Sequence, residues 1–322
     1  MSRGLEIDSR ETARHVTLRV GGVVAQRDPR RRSATVPTEA FRLPSGPARE
    51  SVRGYDRSYR LRGSESATLV TVGTFRVVFE RDLRDGPYRS DAKRLGQDVA
   101  ALTAKGLLHR RTVASDDHGH GMGVLALTRQ GQALLERHRS ERAPSTRGRQ
   151  AVHAGWSKPR ELVHDASLYR MYQVEAAAIE AHGGVIRRVV LDEELKREVY
   201  AHANRAPGFS AELRSGGLAD ARSERLEEAA NRLSLPVVNG HVEFPDMRIE
   251  YDDPVLGQTR IDLELVSDAY HRGHVAAKQR AGFALYSAAG DVAWGIRSLG
   301  GSESRGRGGT VVYHPISSLL SL

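Results

Sequence analysis

Residues 244–266 read FPDMRIEYDDPVLGQTRIDLELV, which gives two β-prone stretches lying close together in the chain, Phe244 to Tyr251 and Arg260 to Val266. Asp246 opens the first behind Pro245. Asp262 and Glu264 alternate with Ile261, Leu263 and Leu265 in the second, and a period of two points both acids to the same face. Carboxylates on neighbouring strands can share one hard divalent ion through oxygen ligands, as magnesium requires.

Working outward, Asp165 to Ala181 carries an apolar helical face of Leu168, Met171, Tyr172, Val174 and Ile179, and Gly183-Gly184 ends it. The β-branched run Val185 to Leu191 follows as a strand. A charged helical insertion covers about 193–235, with Glu193 to Asn204 and Ala219 to Leu233 as its helices around Pro207. After the acidic strands, Arg272 to Ser287 reads as a helix and Thr310 to Tyr313 as a last strand, so the order is αβββαβ. Lys278, one or two turns into that helix, could reach back toward Asp246 and Glu264 to orient or deprotonate a water, or to neutralise a phosphate. Such a constellation suits in-line attack of metal-activated water on a phosphodiester.

Which polar neighbour of the acids does the work stays open. The position two after Glu264 is Val266, so either the lysine has migrated to Lys278 or Asp262 and Glu264 form an acid-x-acid pair. Gln279 is the other candidate partner of the water. Glu175 and Glu180 on the first helix could add a ligand from above, Glu175 in the better place. His164 beside Asp165 evokes a metal-dependent phosphohydrolase pair, but no second histidine and aspartate follow at convincing spacing, so His164 reads as a structural or substrate-side group. Plain structural readings stand beside these: Asp246 beginning a strand at a turn, Glu264 exposed on an edge strand, Lys278 on an ordinary basic helix.

Between Ser64 and Arg139 the pattern is three helices, a hairpin and a helix. Ser90 and Asp91 can cap a helix in which Leu95, Val99, Leu102 and Leu107 recur, and Gly106 closes it. Leu107 to Val113 and Val124 to Leu127 flank a polar tip, and Thr128 caps the final helix. Lys93, Arg94, Gln97, Ala101 and Lys105 fall on or near the face opposite the core stripe, and Arg110 and Arg111 lie on the hairpin; these are the candidate DNA contacts. A solvated helix face on a protein-interaction module is the alternative. His118 and His120 in the tip read as solubilising.

The chain has 322 residues, 39% hydrophobic and 6% aromatic, enough for two ordinary cores. It contains no cysteine, which excludes disulfides, thiolate zinc sites and a thiol nucleophile. No apolar run could span a bilayer and the arginine-studded start lacks a signal peptide's apolar stretch, so a cytoplasmic location is expected. The net charge of +9 and pI near 10 come mainly from arginine, whose fork matches phosphate oxygens, although arginine-for-lysine replacement in a GC-rich genome gives the same composition. Residues 1–60 hold 13 arginines against 7 acids and read as a basic, mobile arm. The expected division is then arm 1–60, first domain 61–140, a Pro/Ser/Gly-broken linker 141–160, and second domain 161–322, with Gly300 to Gly309 a loose Gly/Ser/Arg segment.

The stretch LxxxGLLxRR, a hairpin and LTxxGxxLL resemble the winged helices of many bacterial DNA-binding proteins. Pro245-Asp246, Asp262-Leu263-Glu264 and Lys278, in the order given, resemble the PD-(D/E)XK nuclease superfamily. A winged helix followed by HDxSLYRMY, the PD strand, LELV and a helix with lysine and tyrosine is similar to the plasmid replication-relaxation family, which includes one class of plasmid-mobilisation relaxases. That likeness spans roughly Ser64 to Tyr286. It implies an α+β chain, a winged helix followed by a restriction-endonuclease-like αβββαβ domain, that nicks or processes DNA. Asp246 and Glu264 are the implied ligands of Mg2+ or Mn2+, with Asp262 and Glu175 as further candidates, and Lys278 the implied catalytic lysine. Winged helices often bind palindromic sites as dimers, which would suit a homodimer. The rival expectation is a non-enzymatic DNA-binding regulator or assembly factor on an inactive nuclease-like scaffold; a third is a purely protein-interacting component.

Overall fold

A computed structural model describes residues 36, 38–113, 121–140, 149–205, 218–266, 271–287 and 314–315. The architecture is mixed α and β. The chain enters through a hairpin, β1 (Glu50–Arg53) and β2 (Ser58–Leu61), then α1 (Gly63–Phe75), β3 (Val77–Phe79) and a 3-10 turn at Glu80–Leu83. It continues with α2 (Ala92–Ala104), β4 (Leu108–Val113), β5 (Met122–Leu127) and α3 (Arg129–Arg137). β3, β5 and β4 form an antiparallel three-stranded sheet in that order.

The local causes are those written in the sequence. Asp91 caps α2 by accepting from the Arg94 amide, Gly106 takes the positive φ of 73° that ends the turn after it, and Thr128 caps α3 from the Gly131 amide. Two expectations fail in this half. The second of the three helices is instead a short strand and a 3-10 turn, because Val77-Val78-Phe79 bury all three side chains in the sheet. The arm expected over 1–60 is folded from residue 38: Phe41, Val52, Tyr59 and Leu61 are buried. The hairpin is fastened by ion pairs that charge counting could not locate. Fully buried Glu65 accepts from Arg49 at 3.1 Å and Lys105 at 2.7 Å, and fully buried Asp98 from Arg62 and from Ser64 Oγ at 2.6 Å.

The second half begins with α4 (Leu162–Ala181), β6 (Val185–Leu191), α5 (Asp192–Arg205) and α6 (Leu218–Arg232). A two-residue hairpin, β7 (Val237–Val238) and β8 (His241–Val242), leads into β9 (Met247–Asp253) and β10 (Gly257–Val266). α7 (Arg272–Arg280), β11 (Ala284–Ser287) and β12 (His314–Pro315) complete it. The helix expected from Arg272 to Ser287 stops at Arg280: Gly282 adopts φ 80°, and the next residues turn into β11. The expected strand Thr310 to Tyr313 lies outside the described residues.

The sheet runs β12-β11-β10-β9-β6, antiparallel across β6, β9 and β10 and parallel from β10 to β12. Alternation divides its faces. Leu263, Leu265, Met247, Ile249 and Tyr286 enter one core with Tyr169, Met171 and Tyr172 of α4. Val190 faces the α5–α6 pair, while Val266 and Leu285 face α7. Glu264, two residues from Val266, and Asp262, opposite Arg248, share that second face.

The two halves share a core. Phe75 of α1 packs its ring 5.1 Å from both Tyr169 and Tyr172 of α4. Residues 149–157 are threaded between the halves: the His153 amide bonds Gly73 O at 2.7 Å, and the buried Gln150 side chain bonds both N and O of Val189 at 2.9 Å.

Candidate functional site

Asp246 sits one residue before β9, Glu264 near the end of β10, and Lys278 in the second turn of α7. The sheet brings all three together. Glu264, 1% exposed, accepts the Asp246 backbone amide through Oε2 at 3.1 Å and meets Lys278 Nζ through Oε1 at 3.1 Å. Asp246 Oδ2 accepts the Leu265 amide at 2.8 Å, so the two acids are stitched across the strand ends. Of the two α7 candidates, Lys278 is seen to meet Glu264. Its ammonium also donates to Phe244 O at 2.6 Å and lies 3.4 Å from Glu243 Oε2. An ammonium has three donors, and here three oxygens surround it.

His164, in the first turn of α4, places Nε2 3.3 Å from Asp246 Oδ2 and Nδ1 3.3 Å from Asp165 Oδ1. Burial disfavours its charged form, but the two carboxylates outweigh that and lift the imidazole from 6.5 to about 10. It is therefore an imidazolium at neutral pH. On the other flank, Lys196 of α5 bonds Asp192 at 2.6 Å and lies 5.9 Å from the Phe244 ring; Asp192 and Asp246 together raise its pKa despite half-burial.

The remaining candidates lie elsewhere. Asp262 does not join the acidic centre: its carboxylate is clasped by Arg248 of β9 at 2.6 and 2.9 Å, and Arg248 is itself buried. An acid-x-acid metal pair is thereby corrected to one acid at the centre and one in a structural ion pair. Glu175 is also displaced. It accepts from the hydroxyl of Tyr286, which projects to the Leu263/Leu265 face of the sheet, opposite to Glu264. Among the described residues no group of three or more His, Asp or Glu side chains is arranged to hold a metal ion.

Of the DNA-contact candidates, Lys93 and Gln97 are exposed on α2 and Arg94 is half-buried. Lys105 is committed to Glu65 and to Arg60 O at 2.9 Å, and Arg110 to Glu80 at 2.6 Å. Arg111 lies 4.6 Å over the Trp156 ring. His118 and His120 lie outside the described residues. Glu243, Lys196 and Arg248 went unnoticed in the sequence; the pairing of Asp262 with Arg248 follows from strand register, which a single sequence does not fix.

No family model matches the chain, and no curated protein matches it. Among solved structures, Bacillus subtilis PadR in complex with operator DNA aligns over 52% of this chain and 93% of that one, at 13% identity. The TM-score of 0.19 is too low for this likeness to bear on fold or function. Among the described residues no helix is long and apolar enough to cross a membrane.

Proposed function

We propose that the chain is a DNA-binding protein whose first half is a winged helix and whose second half is a PD-(D/E)XK-type domain that nicks or processes DNA with Mg2+ or Mn2+. The likeness to the plasmid replication-relaxation family makes mobile-element replication or transfer the setting. The observation that carries the reading is that one side chain, Glu264, receives both the backbone amide of Asp246 and the ammonium of Lys278, each at 3.1 Å, which draws two acids and a lysine from separate segments to one strand end. Carboxylates of that kind are the oxygen donors that metal-assisted phosphodiester hydrolysis uses.

Asp246 is the acid that suits a divalent ion best: its Oδ1 makes no hydrogen bond among the described residues, and carboxylate oxygen is the donor that a hard cation takes. Magnesium is commonly held by one or two carboxylates with water completing the shell. Asp246 and Glu264 would hold it, and its chemistry would be to activate water and offset phosphate charge. The protein's own part is to fix Asp246 between the Leu265 amide and His164, and to place the ammonium of Lys278 and the imidazolium of His164 beside a polyanion.

One observation favours the non-enzymatic reading: Glu264 is almost fully buried and Lys278 is surrounded by oxygens, so neither side chain is free to meet a phosphate without rearranging. The deciding experiment is incubation of the protein with supercoiled and single-stranded DNA in magnesium, manganese or chelator, beside Asp246→Asn and Glu264→Gln. Metal-dependent nicking that falls at least a hundredfold in both variants, with DNA binding retained, is the expected result. Binding without nicking in the unaltered protein would transfer the assignment to the regulator.

A further inference from the structure

The acidic centre and the β4–β5 hairpin are mounted on the same turn of one helix. Leu162 and Ala166 of α4 pack into a small core with Val77, Phe79 and Val124 of the three-stranded sheet, and Val113, Met122 and Trp156 lie against it. Residues four apart share a helix face, and the residue midway projects to roughly the opposite side. That residue is His164, and its ring meets Asp246. The first turn of α4 is thus gripped by the hairpin sheet on one side and touches the acids on the other.

Exposed basic side chains line the chain on its way to the same turn. His109 and Arg111, two apart on β4, face Trp156, the imidazole 6.4 Å and the guanidinium 4.6 Å from the indole ring. Both are exposed, and Arg111 has no ion pair among the described residues. Between Trp156 and His164 the chain carries Lys158 and Arg160, with 70% and 80% of their side chains exposed and, among the described residues, only the acid Glu161 paired with them, at 3.6 and 3.4 Å. A guanidinium laid on an indole keeps its donors aimed outward and loses little freedom when it meets a phosphate. The exposed face of α2 is different: Ala92, Gly96, Ala100 and Ala104 dominate it, with Lys93 its one cation.

We propose that His109, Arg111, Trp156, Lys158 and Arg160 form the path of a DNA backbone leading from the hairpin to His164, so that the DNA held by the first half is the DNA presented to the acids of the second. This rests on the reading of the acidic centre as a nuclease site. The first turn of α4 then acts as a ruler, setting a fixed spacing between phosphate anchoring and cutting. α2, with Lys93 its one exposed cation, contributes little of the salt-dependent affinity.

The test measures binding of the full chain to a labelled duplex against salt concentration, and maps the nick on the same duplex. Each B-DNA phosphate that a side chain ceases to neutralise reduces the slope of log affinity against log salt by about 0.9. Lys158→Gln/Arg160→Gln is expected to lower the slope by roughly 2 and Arg111→Gln by roughly 1. In the unaltered protein the nick is expected within a few nucleotides of the edge of the protected region. Slopes that fall in the absence of any nicking would uphold the path and sink the nuclease reading. Unchanged slopes with nicking at the same rate and position would overturn the path and leave the nuclease reading intact.

Discussion

At the scale of single residues, the decisive feature is that each acid of the candidate site already has a partner. Glu264 holds an amide and an ammonium, Asp262 holds Arg248, and Asp246 holds Leu265 N and His164. Residue type and spacing singled out Asp246, Glu264 and Lys278 in the sequence, and the fold draws them to one strand end, although an acid within an apolar alternation is by itself an ordinary strand pattern. The fate of Asp262 was not legible: its partner is set by the pairing of β9 with β10, and register depends on packing that no local pattern encodes. His164 supplies a pH prediction. Its pKa rises from 6.5 to about 10 on folding, so it contributes stability that is fully present below pH 6.5 and is lost as the pH climbs through 10. Replacing it by glutamine should flatten the fall in stability between those values, measured by urea unfolding at a series of pH values. An alkaline limb identical to that of the unaltered protein would show that the imidazolium does not hold this corner.

The elements were easier to read than their boundaries. Caps and glycines carry local information, and so Asp91, Gly106 and Thr128 marked their helices correctly; β3 was missed because three apolar residues have no period to distinguish strand from helix. Gly131 shows how an element's sequence can answer to a neighbour. A Cβ built there would stand 2.3 Å from the carbonyl oxygen of Leu107, a backbone atom that cannot swing aside. Helix propensity alone would make Gly131→Ala stabilising by about 1 kcal/mol. The opposite sign is expected, because α3 must retreat from the strand it covers, and a lowered thermal midpoint would register it. A raised midpoint would mean that α3 has room to move.

Across the whole molecule, the expected pair of domains with a linker is built around a shared core. Phe75, Tyr169 and Tyr172 meet across the halves, Arg170 of α4 grips Asp82 at 2.7 Å, and Glu194 gathers Arg188 and His153. Composition reveals that a chain has enough apolar material for two cores; it does not say whether they will merge. Truncating Tyr172 to alanine should therefore cost about 3–5 kcal/mol, the range for large aromatic truncations in cores. Amide exchange of Leu125 in the first half and Leu263 in the second should accelerate together. Acceleration confined to Leu263 would mean that the halves unfold independently. Gln150 has a different consequence. β6 is the outer strand of the five-stranded sheet, and a bare outer strand invites a second molecule to add to it. By offering one amide and one carbonyl to Val189, the Gln150 side chain stands in for a single peptide unit of a missing neighbour. On that edge, the segment joining the halves fills hydrogen-bonding positions that a second molecule would otherwise be offered.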